Sequence, residues 1–165
     1  MKKIFVLMAL VLPMLVNAQK FGYVNTSELL QLMPEVKVAE ARIDSLNKQY
    51  ENMLVGMQEE FKKKAADYEQ KRAGMTEAMQ QIQEDELLNL QQRIQNTYQQ
   101  LQQDAQMKQQ EMFVPIQEKM LKAIQAVGDR EGFTYIFNSS QSVLVYTAPS
   151  ATNVMESVKK ELGIK

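Results

Sequence analysis

The sequence predicts an α+β protein that is mainly α-helical, with a long antiparallel helical hairpin, the arm, on a small β-rich oligomerisation body. Residues 35–130 carry apolar side chains at steps of three and four, which places one apolar stripe on each of two long helices. Short apolar segments typical of β-strands lie near both ends of the chain, at residues 20–25 and 133–146.

The first 18 residues have the pattern of a secretory signal peptide. Lys2 and Lys3 precede an apolar run over residues 4–16, and small residues follow where signal peptidase requires them. An uncleaved membrane anchor is the alternative, but the run is shorter than the roughly 20 residues that span a bilayer. We expect cleavage after Ala18, export from the cytoplasm and no stable membrane insertion.

Residues 19–34 form the first part of the body. A short strand begins near Phe21, and Thr26 or Ser27 can cap a short helix that Pro34 ends.

The arm is predicted over residues 35–114. Its tip is expected near residues 73–76, where Gly74 suits a helix C-cap and Thr76 an N-cap. Gly56 lies inside the first helix, either as a point of bending or as an ordinary tolerated glycine. The second helix is rich in glutamine, which also fits a disordered tract, but its regular stripe favours a helix. Pro115 is expected to kink it.

The second part of the body, residues 115–165, is predicted to hold a helix, a β-hairpin and a C-terminal helix. Strands at 133–137 and 143–146 are separated by five residues, which predicts antiparallel pairing. Thr152 or Asn153 can cap the last helix, and Gly163 can end it.

Such a small body exposes apolar groups on both sheet faces and leaves its edges open. About fifty residues cannot cover all of this surface, so we expect several chains to associate through it. The candidate oligomerisation residues are Phe21, Tyr23, Phe133, Tyr135, Phe137, Val143 and Val145.

The stripe in the distal half of the arm has two interpretations. Two antiparallel helices must bury a seam, and a stripe at helical spacing is usually that seam. Alternatively, some of these residues contact other protein chains, here called clients, for which flexible methionine side chains are suited. The candidate client-binding residues are Met53, Met57, Phe61, Tyr68, Met75, Met79 and Ile82.

The composition excludes several classes of function. The chain contains no cysteine and no histidine, which excludes Cys/His metal sites and His-based catalysis, and we find no catalytic residues, no metal ligands and no cofactor motif. Removal of Lys2 and Lys3 leaves 17 of the 19 basic residues against 20 acidic ones, so nucleic acid is not an expected partner.

The chain resembles the Skp/OmpH family of periplasmic chaperones over essentially the whole mature sequence. The resemblance is carried by the order and spacing of short segments: Phe21 to Asn25, Pro34 with Glu35, Pro115 with Ile116, Ile124, Ala126 and Val127, Glu131 to Phe133, and Asn153, Val154, Val158 and Leu162. It implies a homotrimer whose helical arms enclose a cavity for unfolded outer-membrane proteins. Lipopolysaccharide binding is not carried over, because well-known members are strongly basic and this chain is slightly acidic.

Two hypotheses of function follow. In the first, the chain is a periplasmic, ATP-independent holdase chaperone that keeps unfolded outer-membrane proteins from aggregating in transit. In the second, the arms are a coiled-coil spacer or adaptor of the cell envelope that docks one folded partner. An enzyme is not expected.

Overall fold

The structure, a computed structural model, describes residues 19–140 and 144–164, so the predicted signal peptide and Val143 lie outside the described residues. The elements in chain order are β1 (Phe21–Val24), α1 (Thr26–Leu32), α2 (Pro34–Lys71), a 3₁₀ turn (Arg72–Gly74), α3 (Glu77–Glu131), β2 (Tyr135–Asn138), β3 (Thr152–Asn153) and α4 (Met155–Leu162). The predicted class, mainly helical α+β with a long helical hairpin, is confirmed.

The chain divides into two compact units. The hairpin unit is Met33–Glu118, and the sheet unit comprises the described residues 19–32 and 119–164. Helix α3 continues through Pro115 without interruption and contributes residues to both units.

The hairpin unit is built on a seam between α2 and α3. Val36, Ala39, Tyr68 and Leu90 are among its buried residues. Along α3 the partly or fully buried positions alternate at steps of four and three, the spacing of a coiled-coil seam. Between residues 83 and 108 the positions with this spacing are Gln83, Leu87, Leu90, Ile94, Thr97, Leu101, Asp104 and Lys108, and Ala105 is also half-buried.

The two long helices are joined by the segment Arg72 to Thr76. The Met79 backbone N–H donates to Thr76 Oγ1 at 3.4 Å, so Thr76 caps α3 as its sequence position predicts. The Gln80 side-chain amide donates to the carbonyl oxygens of Arg72 and Met75 and closes the turn. The C-cap of α2 is Arg72, and Gly74 does not have a positive φ, so the prediction that Gly74 is the C-cap is wrong.

The sheet is parallel throughout, with strand order β2-β1-β3. Phe21 pairs with Tyr135 and Tyr23 with Phe137 along the β1–β2 ladder. The predicted antiparallel hairpin is therefore wrong: β2 pairs with the strand from the start of the chain, and residues 144–146 do not form a strand. The third strand is instead β3, which pairs with β1.

One face of the sheet holds the core of its unit. Val24, Leu29, Val127, Val154 and Val158 are 0–1% exposed. On this face Gly22 lies so close to its neighbours that a Cβ atom would meet Phe133 Cε1 at 2.9 Å and Val154 Cγ1 at 3.1 Å. Only glycine fits there without displacement of packed side chains.

At the start of each of the two short helices, an asparagine side chain accepts a hydrogen bond from a backbone N–H group. Asn25 Oδ1 accepts a hydrogen bond from the Glu28 backbone N–H at 3.1 Å, so Asn25, and not the predicted Thr26 or Ser27, caps α1. Asn153 Oδ1 accepts one from the Met155 backbone N–H at 2.9 Å at the start of α4. Gly163 ends α4 with a φ of 71°, as predicted.

Candidate functional site

The sheet unit carries a cluster of aromatic rings, here called the aromatic face: Phe21, Tyr135 and Phe137. Their ring centroids lie 6.1–6.2 Å apart, and Phe21 stacks on Tyr135 with an interplanar angle of 7°. Because residues two apart in a strand share a face, β1 and β2 place these rings on the side opposite Gly22. The three side chains remain 43–61% exposed.

Exposed aromatic rings on a parallel sheet are unusual. Parallel sheets occur almost only where both faces are covered, because their strands carry apolar residues on each side. Here the described part of the chain covers only the face that holds Gly22, Val24 and Ile136. The aromatic face is therefore a surface suited to contact with another chain.

The other candidate oligomerisation residues are less exposed or lie elsewhere. Tyr23, two residues after Phe21 and paired with Phe137, lies on the same side of the sheet as the aromatic face but is half-buried. Phe133 is also half-buried, and Lys20 Nζ lies 4.0 Å from the centroid of its ring, within the range of a cation–π contact. Val145 is 96% exposed, and Val143 lies outside the described residues.

The hairpin unit carries an open groove of about 770 Å³ beside its seam. Three turns of α2 and three of α3 line it. Leu54, Ile94 and Leu101 supply apolar side chains from the seam, and Val55 and Tyr98 remain 46% and 51% exposed. The remaining lining residues are Asn47, Tyr50, Glu51, Gln58, Gln95, Gln99, Gln102 and Ala105.

The candidate client-binding residues fall into three groups. Met53, Met79 and Ile82 are 52–58% exposed, so their side chains are available to a partner. Met57, Phe61 and Met75 are half-buried. Tyr68 is 6% exposed, which makes it a residue of the seam.

Two tyrosine–carboxylate pairs join the helices of the hairpin. The Tyr50 hydroxyl donates to Asp104 and the Tyr68 hydroxyl to Glu84. The hydrogen bond to Glu84, aided by desolvation, raises the pKa of the Tyr68 phenol above its ordinary value of 10.0. Glu60 with Arg93, at 3.5 Å, adds an exposed ion pair between the helices. Such a pair contributes little to stability and mainly favours one register.

Sequence reasoning missed the groove itself. Leu54 and Val55 are not among the candidate residues, and the three- and four-residue spacing of the apolar stripe includes Tyr98, although its side chain lies beside the seam. The available signal was the apolar pair at 54 and 55, since adjacent residues on a helix cannot both point into one seam.

The described residues form neither a metal site of acidic side chains nor a membrane-spanning helix. Within residues 19–140 and 144–164, no group of three or more acidic residues is arranged to hold a metal ion. No helix in that same part of the chain has the length and apolar character needed to cross a membrane.

These features define a class of protein: a mainly helical chain in which a two-helix hairpin with an apolar groove is combined with a small parallel sheet. The sequence model of the OmpH-like outer membrane proteins matches residues 20–162. The chain therefore belongs to the OmpH-like outer membrane protein family.

Among solved structures, the fold is similar to that of a protein from Caulobacter crescentus CB15 described as an OmpH-like outer membrane chaperone. The TM-score is 0.75 at 16% sequence identity, and the match covers 88% of this chain and 84% of the other. No curated protein sequence matches the chain.

Proposed function

We propose that this protein is a periplasmic, ATP-independent holdase chaperone that binds unfolded outer-membrane proteins and prevents their aggregation during transit. The observation that carries the proposal is the open apolar groove of the hairpin unit, with Met53, Met79 and Ile82 exposed on the same unit. Together these form the proposed client surface. Membership of the OmpH-like family and the chaperone description of the Caulobacter protein support it.

The chemistry of this surface suits many weak contacts with unfolded chains. Each apolar side chain that a client fully buries contributes about 1.5–3 kcal/mol, and partial burial contributes less. Methionine adapts to apolar partners of different shape because its thioether chain is flexible. The glutamine side chains that surround the groove keep it hydrated until a client is bound.

Self-association through the aromatic face is the second part of the proposal, and a homotrimer is the assembly we expect. In such an assembly the aromatic face of one protomer packs against the same rings, Phe21, Tyr135 and Phe137, of the others. Both faces of the parallel sheet are then covered by apolar groups. The chain is also proposed to be exported, with its signal peptide cleaved after Ala18.

A coiled-coil spacer or adaptor is the alternative function. The four–three spacing of the seam and the Glu60–Arg93 ion pair favour it, because a stiff two-helix rod needs no more than these. A spacer binds one folded partner at a fixed ratio and ignores unrelated unfolded chains.

The test is a dilution assay with the mature protein, residues 19–165. We expect an outer-membrane β-barrel protein, unfolded in urea, to stay soluble on dilution when trimer is present in equimolar amount, as measured by light scattering. A second, unrelated β-barrel client should also be protected, because apolar contacts do not require one particular client sequence. Scattering as strong as without the protein would contradict the proposal, and protection of neither client together with tight binding of one folded partner would favour the spacer.

A further inference from the structure

The dimensions of the groove match a short stretch of extended chain. It follows residues 47–58 of α2 and 94–105 of α3, which at about 1.5 Å per residue is about 17 Å. Five residues of β-type chain, at about 3.4 Å each, have this length. Its volume of about 770 Å³ lies within the roughly 300–1,000 Å³ of ordinary ligand sites.

The rim of the groove offers hydrogen-bonding groups without partners in the described part of the chain. The side-chain amides of Asn47, Gln58, Gln95 and Gln99 line it and are not hydrogen-bonded to any other described residue. An extended peptide has backbone N–H and C=O groups that need partners on both sides, whereas a helix satisfies its own. The rim therefore complements an extended chain better than a helix.

The base of the groove, here called the floor, is apolar and can contact the apolar side chains on one side of a bound peptide. Leu54, Ile94 and Leu101 are half-buried beneath the opening, with Tyr98 at its edge. In a strand, alternate side chains point to the same side. A segment with apolar residues at every second position would contact this floor and leave its polar residues in water.

The charged residues of the groove favour some extended segments over others. Glu51 is the one charged residue that lines it, and the lining holds no lysine or arginine. Asp104 is adjacent, held by the Tyr50 hydroxyl. The charged residues on and beside the lining are therefore acidic, which favours cationic segments over acidic ones.

We propose that this groove binds extended client segments of about five residues in which apolar side chains alternate with neutral or basic ones, and that it rejects acidic segments. The inference rests on the proposed function and names the part of a client that this site takes.

The test measures binding of fluorescent nonapeptides to the full mature protein by anisotropy. Three peptides share length and apolar content: an alternating peptide with two lysines, the same peptide with two glutamates, and a lysine peptide rearranged to helical spacing. We expect the alternating lysine peptide to bind about threefold or more tighter than the glutamate peptide at low salt. It should also bind more tightly than the helical rearrangement.

Matched variants test whether the peptide binds in the groove. Tyr98→Gln is expected to weaken the lysine peptide about fivefold, through loss of apolar contact. Leu88→Gln removes a side chain that is 62% exposed on the same helix but does not line the groove, and should leave binding unchanged. Glu51→Gln should reduce the preference for lysine over glutamate.

Equal binding of the lysine and glutamate peptides, preference for the helical rearrangement, or equal effects of Tyr98→Gln and Leu88→Gln would each overturn the inference. The dilution assay, run on the same wild-type sample, separates this from the proposed function. Protection of clients without peptide selectivity overturns only the inference, whereas loss of protection overturns the proposed function.

Discussion

Replacing Tyr135 and Phe137 with lysine is expected to convert the proposed trimer to monomers. About half of each ring is exposed, and burying that part against another protomer contributes about 1 kcal/mol, so losing two rings from each of three protomers weakens association at least about a hundredfold. Two added cations on the same face repel their copies across the symmetry axis. The mass in solution, measured by light scattering on eluting peaks, should fall from three protomers to one.

Leu121→Lys is the matched control for this experiment. Leu121 belongs to the same unit and is 53% exposed, between the 61% of Tyr135 and the 43% of Phe137, but it lies on α3 and not on the sheet. It should keep the wild-type mass. Circular dichroism should show full helix content in both variants. A double variant that stays trimeric would show that the aromatic face is not the contact between protomers.

Replacing Gly22 with alanine is expected to destabilise the sheet unit by about 1–3 kcal/mol, the usual cost of forcing a methyl group into a packed core. The new Cβ atom would lie 2.9 Å from Phe133 Cε1 and 3.1 Å from Val154 Cγ1. Val154 is 1% exposed and has little room to move. The midpoint of urea unfolding, followed at one fixed protein concentration, measures the change.

The same substitution at Gly56, Gly56→Ala, is expected to change the free energy of unfolding in the opposite direction. Gly56 lies inside α2, and its Cβ atom would meet nothing within 4 Å. Alanine should therefore stabilise the helix by about 0.5–1 kcal/mol. The account of the close approach at Gly22 would be contradicted if both alanine variants were equally or more stable than the wild type.

The sequence predicted the two long helices well but assigned some of their faces incorrectly. The apolar spacing places Ile82 and Tyr98 in the stripe, yet these residues are 58% and 51% exposed, while the polar Gln83 and Thr97 are half-buried. The seam keeps a regular four–three step between two supercoiled helices. Where a polar residue occupies a position of the seam, a pattern of apolar residues alone assigns a neighbouring residue to the seam instead.

The sheet was harder to predict because its pairing is not local. Five residues between two strand-like segments favour a hairpin, but β2 instead pairs in parallel with β1, more than a hundred residues earlier in the chain. Parallel pairing requires a long crossover, and here the helical hairpin provides it. Strand β3 consists of Thr152 and Asn153, two polar residues with no alternation that a pattern could show.

The most direct test of the central claim, that unfolded clients bind the apolar surface of the hairpin unit, is site-specific photocrosslinking. A photoreactive phenylalanine analogue is placed at Met53, Val55 or Ile82, and at the exposed Glu156 of α4 as control. After addition of a urea-unfolded outer-membrane β-barrel protein and illumination, we predict client adducts from the three hairpin positions and only background from Glu156. Adducts of equal yield at all four positions, or none at the hairpin while clients remain soluble, would contradict the account.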